Sequence, residues 1–136
     1  MSTASIVREF RDGLARGELL LQHCRSCDGL NMYPRYACPH CQSQELDWRS
    51  ADGAGHLMSF TILRAGAPRG FEDELPYALG IVRLKEGVQL LGRLMPNKNG
   101  EWSDFACDAP VQFISNSSAA TKPYPSFASM RSVPLE

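Results

Sequence analysis

Long apolar runs and basic clusters are missing from this 136-residue sequence. No stretch reaches the roughly 18 to 20 apolar residues that a membrane-spanning helix needs. The opening segment mixes acids with arginines and lacks the continuous apolar stretch of a secretory signal. The 14 basic residues are scattered and the formal net charge is −1, which disfavours nucleic acid as the main partner. We therefore expect a cytoplasmic protein that has no membrane partner.

Familiar catalytic and cofactor-binding motifs are missing as well. The sequence contains no Gly-x-Ser-x-Gly elbow, phosphate-binding glycine loop, His-Glu-x-x-His motif or dinucleotide fingerprint. His56 stands in an apolar run, where we expect a hydrogen-bonded side chain of a β-barrel. Cys107 has no base beside it, so we expect a buried or unreactive thiol. The sequence thus predicts no catalytic residue.

Four of the five cysteines form two Cys-x2-Cys pairs, Cys24 with Cys27 and Cys38 with Cys41. Each pair can present two thiolates from one tight turn, and the ten residues between the pairs can bring them together around one tetrahedral ion. In a reducing compartment this spacing favours a metal over disulfides. Four protein thiolates leave no open coordination position, so the pattern predicts a structural zinc site.

Two alternatives bear on this metal site. Iron in a rubredoxin-like site would use the same four thiolates, and we favour zinc because no second redox feature is visible in the sequence. His23 and His40 adjoin the cysteines and could compete for the metal, but we expect both to be surface side chains. The predicted ligand set is therefore the four cysteines alone.

The remaining pattern predicts a mainly β protein that begins with one short helix. Ile6, Val7, Phe10 and Leu14 recur at spacings of three and four, which indicates an amphipathic helix that packs on its own domain or docks on a partner. Short apolar runs separated by glycine and proline follow Trp48 and predict a small barrel of the OB type. The predicted strands of the barrel cover residues 56–64, 77–85, 88–95 and 110–116.

These patterns divide the chain into four parts. The last twenty residues contain three prolines, which favour an extended tail over a further packed element. The predicted parts are an N-terminal helical segment at 1–22, a zinc ribbon at 23–45, an OB barrel at 46–118 and an extended C-terminal tail at 119–136.

Charged side chains cluster around the loop at residues 66–76. Glu72, Asp73 and Glu74 form an acidic group that we expect to be solvated. Arg64 and Arg69 flank the same loop, and guanidinium groups bind phosphates well. The two arginines are therefore candidates for contacting the phosphates of a nucleotide-bearing ligand, with a plain surface role as the alternative.

Three aromatic side chains are the basis for an alternative function, the binding of nucleic acid. OB barrels and zinc ribbons can bind single-stranded nucleic acid by stacking bases on exposed aromatics. Phe60, Tyr77 and Trp102 are the candidates for stacking, although we expect them to pack in the core. A nucleic-acid-binding protein is thus the alternative function.

Three segments resemble one known family, in order along the chain. The first carries two zinc knuckles, the second a Ser-Phe-Thr strand, and the third a Pro-Tyr strand with a Glu-Gly hairpin. The segments read GELLLQHCRSCDGLNMYPRYACPHC, DWRSADGAGHLMSFTIL and LPYALGIVRLKEGVQLLGRL. Together they resemble the OB-fold, acyl-CoA-associated zinc-ribbon proteins called domain of unknown function 35, from about residue 10 to residue 116. The chain departs from the family's pattern at GAGHLM and at ACDAP.

The resemblance implies a helical segment, a rubredoxin-like zinc ribbon and a C-terminal OB barrel. It also implies an accessory subunit that assembles with a thiolase-fold acyltransferase, synthase or aldolase and helps to bind or channel acyl-CoA. The partner would supply the catalytic residues, and Arg64 and Arg69 would meet the phosphates of CoA. A free-standing enzyme acting on CoA thioesters would depend on His56 and Cys107. Self-association, the partner's identity and the acyl group stay open.

Overall fold

The computed structural model describes residues 3–32, 34–114 and 124–130, with the side chains of residues 3–6 outside the description. It shows a mainly β protein with one short helix, as predicted. No helix in these ranges is long and apolar enough to cross a membrane. The elements are α1 (Thr3–Ala15), β1 (Leu20–Cys24), β2 (Leu30–Asn31), β3 (Leu46–Ser50), β4 (Ala54–Leu63), a 3-10 turn (Glu72–Glu74), β5 (Tyr77–Leu84), β6 (Gln89–Leu94), β7 (Pro110–Ile114) and β8 (Ser126–Ser129).

Helix α1 packs its last turn against its own domain. Leu14 is buried in the hydrophobic core, and Phe10 packs against that core from the previous turn. Gly17 ends the helix at a positive φ of 85°, a conformation that glycine adopts without a steric penalty. Ile6 of the predicted apolar face lies outside the described side chains. Packing on the chain's own core accounts for the second half of the apolar face.

The first sheet is a three-stranded antiparallel sheet in the order β2-β1-β3. Strand β1 lies at its centre, and its five residues are all buried. Leu20 pairs with Ser50 and Cys24 pairs with Leu46, so β3 runs along the whole of β1. This register delivers Cys24 to the end of the sheet where the ribbon turns begin.

The second sheet is a closed barrel in the order β4-β5-β6-β8-β7. The ten-residue strand β4 pairs with β5 along most of its length and with β7 at its start. Strand β8 joins the ends of the barrel, parallel to β6 and antiparallel to β7. Closure leaves no free strand edge, which is how five-stranded OB barrels avoid edge-to-edge pairing.

One hydrophobic core fills the barrel and extends to α1 and β1. Leu57, Val82 and Phe127 are completely buried within it. The buried members of the core are Leu14, Leu19, Leu21, Leu57, Ala78, Val82, Leu84, Leu90, Leu94, Trp102, Phe105, Val111 and Phe127.

The strands place two segments differently from the predicted boundaries. The sequence predicts residues 46–50 in the barrel, but they form β3 and pair with β1 of the ribbon sheet. It predicts a tail at 119–136, but residues 126–129 form β8 and close the barrel, while 119–123 and 131–136 lie outside the described residues. The reason is long-range pairing: Phe127 fills the barrel core from a strand of only four residues.

Candidate metal centre and barrel pocket

The four paired cysteines meet at one point of the ribbon. Their Sγ atoms all lie within 4.8 Å of one another. The Sγ of Cys24 lies 3.6 Å from that of Cys41, and the Sγ of Cys27 lies 3.6 Å from that of Cys38. The structure therefore brings together all four residues of the predicted metal site.

The two cysteine turns have the same backbone hydrogen bonds. In the first turn, Asp28 N–H donates to the carbonyl of Cys24 at 2.8 Å and Cys24 N–H donates to that of Gly29 at 2.9 Å. In the second turn, Gln42 N–H donates to the carbonyl of Cys38 and Cys38 N–H donates to that of Ser43, both at 2.8 Å.

The two turns also match in conformation and burial. Asp28 and Gln42 each adopt a positive φ of 65°. The first cysteine of each pair is buried and the second is exposed. Two equivalent knuckles therefore face each other, which is the arrangement of a zinc ribbon.

Backbone amides stabilise the thiolate forms of the two buried cysteines. The backbone N–H of Cys27 lowers the pKa of Cys24 to about 6. Burial opposes ionisation of Cys38, but the amides of His40 and Cys41 together lower its pKa below the usual value. The thiolate is the form that binds a metal, so the lowered pKa values of the two buried cysteines favour binding of a cation.

His23 is buried, so the prediction that it is a surface side chain is wrong. Its Nε2 lies 2.5 Å from Asp28 Oδ1 and its Nδ1 lies 2.9 Å from Asp47 Oδ1. Both ring nitrogens are thus engaged by carboxylates from a knuckle and from β3, which leaves neither available as a metal ligand. His40 is exposed, as predicted.

The two carboxylates raise the pKa of His23 above its ordinary value of 6.5, Asp28 contributing most and Asp47 next. A raised pKa means that the ion pairs contribute their full stability below about pH 6.5 and lose it as the pH rises through the folded-state pKa. We expect Asp28→Asn and Asp47→Asn each to lower the His23 pKa in the metal-loaded protein, followed by NMR of the ring protons. Asp73→Asn, an exposed change in the barrel loop, is the control, and an unchanged His23 pKa in both test variants would contradict the assignment.

The acidic cluster is only partly solvated. Glu72 and Asp73 are exposed, as predicted. The prediction is wrong for Glu74, whose Oε1 accepts a hydrogen bond from Arg93 Nη1 at 2.9 Å. The pair is largely buried, with side-chain exposures of 9% for Arg93 and 21% for Glu74. Glu74 therefore neutralises an arginine inside the barrel wall.

Arg64 and Arg69 are both exposed. Arg64 borders a cleft of about 480 Å³ whose other walls include Phe60, Trp102 and Phe105. Arg69 lies in the loop between β4 and β5. Both guanidinium groups can reach a ligand from solvent, and phosphate binding by either remains a prediction.

The three aromatics that we considered for base stacking pack in the barrel. Trp102 and Tyr77 are buried, and Trp102 Nε1 donates to the carbonyl of Leu94 at 2.8 Å. The ring of Phe60 lies 6.5 Å from that of Phe105. The prediction of core packing is confirmed for these side chains.

The two side chains that a free-standing enzyme would need are both on the surface. His56 is exposed on β4, in register with Arg83. Cys107 is exposed in the loop before β7, so it is not buried, and the expectation that its thiol is unreactive stays a prediction. The loop from β6 to β7 turns its apolar members, Trp102 and Phe105, inward and leaves this cysteine outside.

Arg93 forms a site that the sequence analysis missed. Its guanidinium carbon lies 4.0 Å from the ring centroid of Tyr77, 4.3 Å from that of Tyr124 and 6.0 Å from that of Phe71. The side chain borders a cavity of about 210 Å³ on the barrel wall. An arginine between Gly92 and Leu94 inside an apolar strand was the available signal, because such a position requires a partner for the charge.

Two consecutive family domains match the chain. Residues 11–47 match the family described as ChsH2, rubredoxin-like zinc ribbon domain, and residues 48–113 match ChsH2, C-terminal OB-fold domain.

Curated relatives match parts of the chain. A DUF35 domain-containing scaffold protein of Methanocaldococcus jannaschii is 28% identical over 68% of this chain and 66% of its own length. A probable enoyl-CoA hydratase alpha subunit of Thermomonospora curvata is 34% identical over 57% of this chain and 24% of its own length. The chain thus spans less than two thirds of either relative.

A solved structure has the same fold. A chain of the Ltp2-ChsH2(DUF35) aldolase superimposes with a TM-score of 0.70 at 24% identity, covering 90% of this chain and 92% of that one. At this identity the superposition establishes the fold, including the ribbon followed by the closed barrel.

Proposed function

Because the chain belongs to the ChsH2 family of zinc-ribbon and OB-fold proteins, we propose that it is a non-catalytic accessory subunit of a thiolase-like enzyme. In this role it holds one structural zinc ion and helps to bind or channel acyl-CoA thioesters. The observation that carries the proposal is the uninterrupted match of both family domains over residues 11–113. The partner supplies the catalytic residues.

The geometry of the four cysteines supports zinc. Sulfurs bonded tetrahedrally to one zinc at about 2.3 Å lie about 3.8 Å apart. The two Sγ–Sγ separations of 3.6 Å in the structure are close to this value. Cys24, Cys27, Cys38 and Cys41 would occupy all four positions, so the ion would stabilise the ribbon without contacting a substrate. Iron fits the same donors, and elemental analysis of the purified protein distinguishes the two.

The relatives support the partner and the ligand. One is described as a scaffold protein, another as a subunit of an acyl-CoA enzyme, and the solved structure pairs ChsH2(DUF35) with Ltp2 in an aldolase. These descriptions name a scaffold, an enoyl-CoA enzyme and an aldolase assembly, and the thiolase-like nature of the partner is inferred from the family resemblance. Shared fold alone would not carry the function, so both parts need a direct test.

Affinity purification of the tagged chain from its own host tests the partner. Mass spectrometry of the co-purified proteins is expected to identify a thiolase-fold protein in stoichiometric amount. The control is the tag on an unrelated protein of similar size. Staining the same fractions for nucleic acid tests the alternative function, and recovery of nucleic acid without a protein partner would contradict the proposal.

A hydrolysis assay tests the enzyme hypothesis. The chain alone is expected to leave acyl-CoA thioesters intact. Hydrolysis that disappears in His56→Ala or Cys107→Ala would instead establish a free-standing enzyme.

Arg64 and Arg69 are proposed to contact the phosphates of CoA. In the assembled complex, Arg64→Gln and Arg69→Gln should each weaken CoA binding and leave the binding of pantetheine, which lacks the nucleotide phosphates, unchanged. Arg83→Gln, an exposed arginine on β5, is the matched control. Calorimetry measures both ligands, and equal effects on CoA and pantetheine would contradict a phosphate contact.

A further inference from the structure

The cavity beside Arg93 combines apolar walls with one charged group. Its volume of about 210 Å³ exceeds the roughly 150 Å³ of an engineered protein cavity that binds benzene. A concave, mostly apolar pocket with a few converging polar atoms is the usual form of a small-molecule site. The lining residues are Pro68, Phe71, Tyr77, Leu79, Leu91, Gly92, Arg93 and Tyr124.

The positive charge of Arg93 is already compensated. Nη1 donates to Glu74 Oε1 at 2.9 Å, and the hydroxyl of Tyr124 donates to the same oxygen at 3.4 Å. A carboxylate ligand would therefore be repelled by Glu74, and it would find no unpaired positive charge to attract it. The electrostatics of the pocket favour an uncharged ligand.

The guanidinium nevertheless retains hydrogen-bond donors. It carries five N–H groups, and the bond to Glu74 uses one of them. Within the described ranges, Nε is buried without an acceptor. Tyr77 and Tyr124 lie close against the group and hold its plane in place. Arg93 lines the cavity, so the N–H groups that it turns toward the cavity are the donors for a neutral oxygen bound there.

We propose that this cavity is a binding subsite for a small uncharged ring or branched alkyl group that carries a carbonyl oxygen, with the oxygen accepting a hydrogen bond from Arg93. The inference deepens the proposed function, on which it rests for the source of the group: the acyl end of a thioester. It assigns the recognition of that group to this chain, through Arg93 and the apolar walls.

A titration of the metal-loaded full chain with three small probes tests the subsite. The probes are methyl benzoate, benzoate and toluene, which share a ring of one size and differ in charge and in the acceptor oxygen. Nitrogen–proton correlation NMR follows the binding, including the side-chain Nε–H signal of Arg93. We expect methyl benzoate to bind about fivefold more tightly than toluene, the factor that one net hydrogen bond supplies. It should also bind more tightly than benzoate, whose negative charge would lie near Glu74. The Arg93 signal should shift with methyl benzoate and stay in place with toluene.

Two variants on β6 distinguish an effect on the cavity from a general effect on the strand. Leu91→Trp places a larger side chain at the cavity wall and should abolish saturable binding. Gln89→Trp makes the same change two residues away on the exposed face and should leave binding unchanged. Because Leu91 is 44% exposed, its replacement should leave the fold intact, which the backbone spectrum reports directly.

Three outcomes would overturn the proposal: tighter binding of benzoate, equal binding of toluene, or no saturable binding of any probe. The titration needs no partner, so methyl benzoate binding without recovery of a thiolase-like protein would refute the proposed function and keep the subsite. Recovery of a thiolase-like protein without probe binding would refute the subsite and keep the proposed function.

Discussion

Replacing Cys38 and Cys41 together with serine is expected to unfold the ribbon and abolish zinc binding. The variant keeps one knuckle and loses half of the donor set. Structural zinc contributes about 10 to 16 kcal/mol of apparent free energy in zinc-finger peptides at pH 7, comparable to the whole stability of a small domain. The hydrogen-bonded turns around Cys24 and Cys38 have little apolar core of their own, so the metal should be the main source of their stability.

Metal analysis by plasma mass spectrometry and circular dichroism measure this loss. Wild-type protein should contain one zinc ion per chain, and the double variant none. Cys107→Ser is the matched control, because Cys107 is exposed and lies outside the cysteine cluster. A double variant that keeps its native spectrum and melting temperature would contradict the structural role of the metal.

Replacing Phe127 with alanine is expected to destabilise the barrel by about 3 to 5 kcal/mol, the usual cost of removing a buried phenylalanine side chain. Phe127 is completely buried, and its ring packs edge-on against that of Phe113 at 6.0 Å. It belongs to β8, which closes the barrel between β6 and β7. The substitution would therefore leave a void in the core beside the strand that closes the barrel.

Urea denaturation of the zinc-loaded protein measures this change as a lower midpoint. Met130→Ala is the control, since Met130 follows β8 directly and is 44% exposed. The control should stay within about 0.5 kcal/mol of the wild type. An equal, small effect of both substitutions would show that the segment at 126–129 is not part of the core.

The sequence predicted the strands of the barrel well because their signals are local. The four predicted strands begin within two residues of β4, β5, β6 and β7, and the first three also end within two residues of the observed strands. The predicted end of the fourth, at residue 116, lies outside the described residues. Each carries enough apolar residues between turn residues to be recognised without its neighbours. Strand β8 was missed because its four residues lie among prolines and are extended by pairing with β6 and β7 rather than by their own pattern.

The candidate sites likewise differ in whether a local pattern or a long-range contact forms them. The cysteine cluster follows from spacing, since each knuckle is a local turn. The burial of His23 depends on Asp47, which lies 24 residues away and reaches it only when β3 pairs with β1. The contact of Arg93 with Glu74 likewise spans 19 residues. Contacts between distant segments decide both features. The local pattern around Arg93 indicates that its charge needs a partner, but it does not identify Glu74.

Native mass spectrometry of the tagged chain, purified gently from its own host, tests whether the protein is a zinc-containing accessory subunit. We expect an assembly that contains this chain, one zinc ion for each copy of it and a thiolase-fold protein. Adding an acyl-CoA should increase the mass of that assembly by the mass of the ligand. Detection of the chain without a partner, without a metal, or with nucleic acid in place of an enzyme would show that this role is wrong.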